Sequence, residues 1–293
     1  MSRWYDKKCL VTGSTGLIGS NLADKLTELK ARVRKTRGRH LDDLTNPENC
    51  DRLTVGIDTV FHCAAVSEGA KTIKEDPKKV ITPNVIMTAY LLDKAQKNNV
   101  KNFVYLSSTT VDHPFEYQGI AHMKRFGEEL CQFYRDKYGM STTIIRPTNV
   151  YGPNDKFDER GHVIPNLIKR ALSKENPFVV WGTGNNSRDF IYVEDLIHGI
   201  LEAKDGTYTI GSGTHTTIKQ LVGTLFSVLD YFPSIVFDTS KPDAIGINHP
   251  ELNIIKNRTS LEEGLRKTIR WYQERKSQAY MEDEACGTQT SRS

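Results

Sequence analysis

Short apolar runs alternate with amphipathic stretches through the first half of this chain, and this alternation limits its fold more than any other feature. Strands are predicted at KCLVT, ARVRKT, TVFHCAA, FVYLSS and TTIIRP, and helices at SNLADKLTELK, VIMTAYLLDKAQKNN and KRFGEELCQFYRDKYG. Strand, helix, strand in that order implies parallel strands joined by crossover helices. We therefore predict an α/β fold with a doubly wound parallel sheet over residues 1–152.

The organisation changes after Tyr151, where a connection rich in Gly, Pro and Asn interrupts the alternation. A smaller α/β lobe is predicted over residues 153–276, with the chain returning to the first domain near residues 188–213. The stretch SLEEGLRKTIRWYQERK predicts a C-terminal helix capped by Ser260. Residues 277–293 lack periodicity and are predicted to form a disordered tail.

A glycine triplet follows the first predicted strand and precedes the first predicted helix. Glycine at these places lets the chain turn sharply, lets the backbone approach a pyrophosphate, and brings the helix N-terminus to the anion. A plain tight turn is the alternative, but the position in a strand-helix unit favours a dinucleotide site. The residues expected to contact the dinucleotide are Gly13, Ser14, Thr15, Gly16, Leu17, Ile18 and Gly19.

The second strand indicates which dinucleotide binds. An NAD site usually ends this strand with a carboxylate that holds the ribose hydroxyls. Here the strand carries Arg34, Lys35 and Arg37 and no acid, so it would match a 2′-phosphate. NADP(H) is the predicted cofactor, with NAD as the alternative; a solvated basic edge or a patch for an acidic partner would explain the same residues.

The amino-acid composition limits the classes of partner that the protein can be expected to bind. The 40 basic and 36 acidic residues give a formal charge of +4, too near balance to favour nucleic acid or a membrane as the main partner. The five cysteines are scattered and form no C-x-x-C pair, which predicts reduced thiols. The start does not look like a leader, and no apolar run approaches roughly 18 residues, so a cytoplasmic protein is predicted. The histidines show no metal-ligand spacing, so no metal site is predicted.

In these residues the chain resembles the NAD-dependent epimerase/dehydratase family, which belongs to the extended short-chain dehydrogenases. Within this family it resembles the GDP-fucose synthases. The resemblance runs from about Lys8 to Gln273. The matching motifs are VTGSTGLIGS, DLTN, FHCAA, FVYLSS, KRFGEEL, RPTNVYGP, HVIP and RDFIYVEDL. It implies a Rossmann domain, a substrate-binding lobe, a nucleotide-sugar substrate, and a homodimer formed through a four-helix contact of VIMTAYLLDKAQ and KRFGEELCQFYRDKY.

The resemblance also assigns roles to individual residues. Asp43 and Leu44 would border the adenine, Ala64 and Ala65 the cofactor ribose and nicotinamide side, and Lys124 the nicotinamide ribose. On the substrate side the expected residues are Thr109, Asn149, His162 and Arg188. Simpler explanations stay open: the alanines would be ordinary packing, Asn149 a turn cap, Arg188 an ion-pair partner and His162 a structural histidine.

The catalytic helix departs from the family pattern. Hydride transfer at a sugar carbon needs a group that exchanges the hydroxyl proton, and in the family a tyrosine four residues before the lysine does this. That position here is Ile120, twelve residues after Ser108, the residue expected to bond the sugar oxygen. Tyr117, seven residues before Lys124, is the nearest substitute, particularly if Gly119 breaks the helix start.

Other groups remain candidates for the proton transfer. Asp112 and His113 lie on the shortened loop, and His162 matches a residue used for epimerisation in GDP-fucose synthases. The cysteine that accompanies that histidine is replaced by Thr110, which argues against double epimerisation, and the absence of an Asp-Glu pair argues against a 4,6-dehydratase.

Two functions follow from the sequence. The first is an NADP(H)-dependent reductase or epimerase that transfers hydride at C4 of a nucleotide-activated deoxysugar, with Ser108, Tyr117, Lys124 and His162 as its catalytic residues. The alternative is a catalytically silent relative that binds the dinucleotide or a nucleotide sugar as a sensor or assembly partner.

Overall fold

A six-stranded parallel sheet forms the centre of the larger domain, in the order β2-β1-β3-β4-β5-β9. Its strands are β1 Lys8–Thr12, β2 Arg32–Lys35, β3 Thr59–His62, β4 Asn102–Leu106, β5 Ser141–Pro147 and β9 Gly206–Ile210. The strand order reverses between β1 and β3, because β2 and β3 lie on opposite sides of β1. The predicted doubly wound α/β fold is confirmed, and ligands of such sheets bind at this reversal, beyond the carboxyl ends of the strands.

Helices cover both faces of the sheet. They are α1 Leu17–Glu28, α2 Pro47–Thr54, α3 Lys78–Lys97, α4 Pro114–Tyr138 and α6 Val193–Glu202, and a 3-10 helix spans Thr109–Asp112 before α4. One apolar core lies between the sheet and the α1–α6 layer, with Leu22 and Ile197 buried in it. A second core, with Leu91 and Phe103, lies under α2, α3 and α4.

The second lobe is built on two small sheets. It contains β6 Asn149–Tyr151, α5 Val163–Leu172, β7 Phe178–Trp181, β8 Ser187–Tyr192, β10 His215–Thr217, α7 Ile218–Leu229, β11 Ile235–Asp238 and α8 Leu261–Gly287. Strands β10, β8 and β6 form one sheet, and β11 pairs with β7 in the other. A third core, with Tyr151, Phe178 and Leu225 buried, holds this lobe together. Since β6 follows β5 after one residue, the lobe stands at the carboxyl edge of the central sheet.

The computed structural model describes residues 2–67, 75–158, 161–241 and 258–287, with the backbone alone for 279–287. Within the described ranges no helix has the length and apolarity needed to cross a bilayer. The prediction of a disordered tail from residue 277 is wrong for residues 277–287, which continue α8. Gln, Ala, Met and Glu favour helix and no Pro or Gly interrupts them before Gly287, although no apolar periodicity marks them. The rest of the predicted tail lies outside the described residues.

Candidate active site

The glycine loop after β1 is shaped for close approach of a ligand. Gly13 has a φ of +65°, and a Cβ there would lie 2.7 Å from the backbone nitrogen of Ala64. A Cβ at Gly19 would lie 2.3 Å from the carbonyl oxygen of Gly13. The loop therefore tolerates only glycine at these two places, and it leads directly into the N-terminus of α1 at Leu17. The absence of side chains leaves room at the loop, and the N-terminus of α1 lies next to it. This arrangement fits the pyrophosphate of a dinucleotide.

A cavity of about 160 Å³ lies beside this loop. Six of the predicted cofactor residues line it, from the loop, the segment before α2 and the end of β3: Gly13, Thr15, Asp43, Leu44, Ala64 and Ala65. Sequence reasoning missed other lining residues, among them Thr36, Gly38, Arg39, Val66 and Met87. Thr36 and Met87 lie within the predicted strand and helix but carry no charge that would mark a cofactor contact, and Gly38, Arg39 and Val66 follow quoted segments within three residues.

The end of β2 holds a buried carboxylate. Asp42 Oδ2 accepts hydrogen bonds from the backbone nitrogen of Arg37 at 2.8 Å and from its Nε at 3.2 Å. Arg52 Nη2 donates to Asp42 Oδ1 at 2.6 Å. Burial alone would raise the pKa of Asp42, but the hydrogen bonds from both arginines outweigh it and hold the pKa below its usual range. Asp42 is thus a structural anion and does not present a free acid to a ribose.

Arg34 does not serve the cavity as predicted. Its Nη1 donates to the carbonyl oxygens of Leu53 at 2.7 Å and Val55 at 3.1 Å, where it satisfies the C-terminus of α2. Arg39 lines the cavity instead, with a side chain that is 68% exposed and 3.6 Å from Asp43. Arg39 therefore presents the basic group at the cavity, whereas Arg37 is bound to Asp42 and Arg34 lies against the end of α2.

A buried histidine fixes the backbone of the cavity wall. The Ala64 backbone nitrogen donates to Thr12 Oγ1 at 3.0 Å, which lies 3.0 Å from His62 Nδ1. His62 Nε2 lies 3.2 Å from Thr88 Oγ1 on α3. Burial, assisted by the charge of Lys124, lowers the pKa of His62 to about 3, so the imidazole is neutral.

The same series of contacts returns to the cavity wall through α3. Thr88 Oγ1 donates to the carbonyl oxygen of Asn84 at 2.9 Å. The Asn84 side chain accepts from the Val66 nitrogen and donates to the Val66 carbonyl, both at 2.9 Å. The segment Ala64–Val66 is therefore tied at both ends, and we call the whole set the Thr12–His62–Thr88–Asn84 ring.

The strand-end hydroxyls lie in the 3-10 helix that follows β4. Ser108 caps this helix, and its Oγ accepts from the Thr110 nitrogen at 3.1 Å. Thr109, predicted to bind substrate, is buried, and its Oγ1 is 3.3 Å from the Pro147 carbonyl. Thr110 Oγ1, by contrast, is a buried atom without a hydrogen-bond partner in the described structure. The role predicted for Thr109 therefore suits Thr110 better, because only the latter has an unused hydroxyl.

Lys124 points to the carboxyl end of β4. Its Nζ donates to the Leu106 carbonyl at 2.6 Å and lies 5.2 Å from the ring centroid of Tyr105. Burial lowers the pKa of Lys124 to about 8, against smaller opposing effects of Cys63 and Glu128. The ammonium is charged at neutral pH, and its contact with the nicotinamide ribose stays a prediction.

Glu128, one turn after Lys124, forms a buried ion pair below the site. Its side chain is 2% exposed and accepts from Arg146 Nε at 2.8 Å and Nη2 at 2.6 Å. Ser107 Oγ donates to the same carboxylate at 2.5 Å. The pair therefore ties α4 to the ends of β4 and β5, next to Ser108.

The start of α4 settles the geometry of Tyr117. The helix begins at Pro114 and continues past Gly119 without a break, so Tyr117 lies roughly 10 Å along the axis from Lys124 on nearly the same face. Gly119 serves packing instead, because a Cβ there would lie 2.2 Å from Ile81 Cδ1 of α3. Tyr117 is half-buried, and its proton-transfer role stays a prediction.

In the second lobe, β8 brings polar groups to the end of β5. Asp189 is buried and accepts from Thr148 Oγ1 at 3.1 Å and from the Gly213 nitrogen at 2.6 Å. Asn149 Nδ2 donates to the Asp189 carbonyl at 3.0 Å, a contact between the paired strands β6 and β8 and not a turn cap. Arg188 Nε is buried without a hydrogen-bond partner among the described residues. Since Thr109 contacts Pro147 and Thr148 contacts Asp189, the open groups of Thr110 and Arg188 belong to the same edge of the sheet.

His162 lies at the N-terminus of α5. Its side chain is 67% exposed, and Nδ1 is 3.4 Å from Oδ1 of the buried Asp155. Sequence reasoning missed Asp155, because it stands in the Gly, Pro and Asn-rich connection that was interpreted as a linker.

Comparisons with known proteins identify the family of this chain. Residues 9–215 match the model of the NAD dependent epimerase/dehydratase family. The chain belongs to this family. The predicted class, a nicotinamide-dependent enzyme of nucleotide sugars, is thereby confirmed at the level of the family.

Individual relatives span nearly the whole chain. A dTDP-4-dehydro-6-deoxy-D-allose reductase of a Streptomyces species is 28% identical, covering 92% of this chain and 97% of its own. A probable GDP-L-fucose synthase of Oryza sativa is 30% identical, with 91% and 92% covered. The crystal structure of a GDP-L-fucose synthetase from Naegleria fowleri bound to NADP superposes with a TM-score of 0.82 at 25% identity, covering 94% and 96%.

Proposed function

We propose that this protein is an NADPH-dependent reductase that transfers hydride to C4 of a 4-keto deoxysugar carried on a nucleotide. The observation that carries the proposal is the segment after β2, where Arg39 lines the cavity and the nearby acid, Asp42, is already bound by Arg37 and Arg52. The exposed Arg39 guanidinium suits a 2′-phosphate, and it lies 3.6 Å from Asp43, the other acid of the cavity, so both carboxylates already face a basic partner. An NADP-bound relative and a reductase among the similar proteins support the same choice.

The cofactor would be held by residues whose shape is already set. The Gly13–Gly19 loop would take the pyrophosphate, the cavity bordered by Asp43, Leu44 and Ala64 the adenosine half, and Lys124 the second ribose. When bound, the nicotinamide supplies the hydride. The chain itself must orient the sugar, exclude water and deliver the hydroxyl proton.

Ser108 and Tyr117 are proposed to handle the sugar oxygen. Ser108 Oγ has a lone pair engaged by the Thr110 nitrogen, so its hydroxyl hydrogen is directed elsewhere and suits a carbonyl oxygen. Tyr117, on the Lys124 face of α4, is proposed to deliver the proton. Tyr117 and Lys124 are separated by roughly 10 Å along the helix axis, and a tyrosine side chain reaches about 6 Å. The sugar oxygen would therefore lie between the Tyr117 hydroxyl and the Lys124 ammonium.

The substrate side is proposed to use the two open groups at the sheet edge. The Arg188 guanidinium, with its Nε unsatisfied, suits the diphosphate of a nucleotide sugar, and Thr110 Oγ1 suits a sugar hydroxyl. Buried polar atoms without partners cost stability unless a ligand completes them. His162, at the mouth of the same lobe, is proposed as the group that exchanges a proton with the carbon beside the ketone.

Absorbance of the reduced nicotinamide tests the proposal directly. Purified protein is mixed with NADPH or NADH and a panel of 4-keto-6-deoxy nucleotide sugars, beside Tyr117→Phe. The matched control is Tyr138→Phe, at the exposed end of the same helix. We expect NADPH oxidation that is lost in Tyr117→Phe and kept in Tyr138→Phe; turnover that survives in Tyr117→Phe would assign the proton to another group.

The cofactor preference has its own test. Arg39→Ala should weaken NADPH binding about tenfold or more and leave NADH binding unchanged, because one charge-assisted contact of about 1.5–3 kcal/mol is lost. Arg32→Ala, an exposed arginine of the same strand paired with Asp6, is the matched control. Tight NADPH binding without turnover of any sugar would favour a silent binding protein.

We also propose a homodimer through α3 and α4. These helices expose four large aromatic side chains, namely Tyr90, Phe126, Phe133 and Tyr138. Exposed apolar groups clustered on a helix pair mark a protein interface. Light scattering should give twice the chain mass at micromolar concentration and the monomer mass for Phe133→Glu; a monomeric wild type would refute the dimer.

A further inference from the structure

Asp155 combines deep burial with an incomplete set of hydrogen bonds. Its side chain is 2% exposed, and Oδ1 accepts from the Lys156 nitrogen at 2.8 Å and lies 3.4 Å from His162 Nδ1. Oδ2 is buried and has no partner in the described structure. Carboxylates are rarely buried in this way unless they hold another group, and among the described residues the imidazole of His162 lies within ion-pair distance.

The loop that carries Asp155 is fixed to the nucleotide-binding domain on both sides of it. Asn21 Nδ2 of α1 donates to the Pro153 carbonyl at 2.9 Å. Lys156 Nζ donates to Ser67 Oγ at 2.9 Å, and Ser67 follows the cavity wall directly after Val66. Asp155 therefore lies where the two lobes meet, and it presents His162 from that junction.

We propose that Asp155 is the positioning residue of an Asp–His dyad that makes His162 a directed proton-transfer group, a proposal that rests on the function given above. The carboxylate accepts the Nδ1 proton, so the neutral imidazole keeps Nε2 unprotonated and exposed. Nε2 can then take the proton of the C–H bond beside the ketone while the electron pair moves into the enolate. The imidazolium so formed is stabilised by Asp155 and exchanges its Nε2 proton with solvent. It then returns a proton to the carbon as the enolate electron pair re-forms the C–H bond, so no oxidant is needed.

The observed distance agrees with a dyad at rest. Hydrogen bonds of catalytic groups are often long before the ligand binds and shorten in the complex. The 3.4 Å between Oδ1 and Nδ1 must shorten by a few tenths of an ångström to reach hydrogen-bond length, and the exposed His162 ring can turn by that amount.

The tautomer of His162 tests the dyad without any turnover. Long-range ¹⁵N–¹H spectra of imidazole-labelled protein, compared with His162→Ala for assignment, should show Nδ1 protonated and Nε2 bare in the wild type. In Asp155→Ala the Nε2-protonated form should become the major species. A wild type that is already protonated at Nε2 would overturn the proposal, whatever the enzyme turns over.

Exchange of the substrate in deuterium oxide gives the second readout. Deuterium incorporation beside the ketone should fall at least about tenfold in Asp155→Ala, and the double variant with His162→Ala should be no slower than His162→Ala alone, because the two groups act as a unit. NADPH affinity and the circular dichroism spectrum should not change. Asp158→Asn, an exposed acid of the same loop, is the control.

The outcomes separate the two proposals. Additive losses in the double variant would mean a structural role for Asp155 and would refute the dyad. If the wild type neither oxidises NADPH nor exchanges deuterium, the proposed function fails, and the tautomer measurement alone decides whether Asp155 directs His162.

Discussion

The buried pair of Glu128 and Arg146 yields a prediction whose size follows from its contacts. Glu128→Gln keeps the volume of the side chain and removes the charge that faces the Arg146 guanidinium, so no cavity contributes. Losing one partner of a buried pair typically costs about 3–5 kcal/mol, because the other charge stays buried. Asp112, 3.4 Å from Arg146 Nη1, remains as a partial substitute, so we expect about 3 kcal/mol.

Urea unfolding followed by circular dichroism measures this loss. Glu129→Gln is the matched control, since Glu129 is the next residue of the same helix, carries the same charge and is exposed. The midpoint of thermal unfolding should fall by about 6 °C or more in Glu128→Gln, at roughly 2 °C per kcal/mol for a chain of this size. A free energy of unfolding within about 1 kcal/mol of the control would show that the pair contributes little net stability and would refute the reasoning.

Three further predictions concern packing, protonation and capping. Gly127→Ala should destabilise the fold by about 1–3 kcal/mol, because the added Cβ would lie 2.3 Å from the hydroxyl of Tyr105. A Cβ at Gly223 has no atom within 4 Å, so Gly223→Ala should stabilise helix α7 by up to about 1 kcal/mol. Thermal melts measure both changes. The pKa of Lys124 falls from 10.5 to about 8 on folding, so the unfolded chain binds more protons than the folded chain between these pH values. The stability of the wild type relative to Lys124→Met should therefore rise by about 2 kcal/mol from about pH 7.5 to about pH 10. A stability difference in urea melts that does not change with pH would contradict this. Arg34→Ala should cost about 1–2 kcal/mol of stability and leave the NADPH to NADH affinity ratio unchanged, while a tenfold loss of that ratio would return Arg34 to the cofactor site.

The sequence predicted features that depend on local pattern. Alternating strands and helices identified the doubly wound sheet, and the glycine spacing at Gly13 and Gly19 marked the place where backbone meets backbone. Both follow from steric rules that act within a few residues. The continuation of α8 to Gly287 was missed because helix propensity without an apolar stripe gives little signal.

Side-chain direction at the site was harder to predict. Arg34 and Arg39 carry the same charge within six residues, yet the first caps α2 and the second lines the cavity. Thr109 and Thr110 are neighbours of one type, and only the packing of the 3-10 helix against Pro147 decides which hydroxyl is used. Asp155 and His162 met through a loop that carries no periodicity. Tertiary packing decides each of these, so no local pattern records them.

The Thr12–His62–Thr88–Asn84 ring has a single sense of donation. The Thr88 hydroxyl hydrogen goes to the Asn84 carbonyl, so Thr88 Oγ1 accepts the Nε2 hydrogen of the neutral His62, and His62 Nδ1 accepts the Thr12 hydroxyl hydrogen. Because the imidazole stays neutral, no physiological change of pH reverses this order. The wall Ala64–Val66 thus loses its backbone freedom during folding, which spares an arriving nucleotide roughly 1–2 kcal/mol of conformational entropy for each of these residues.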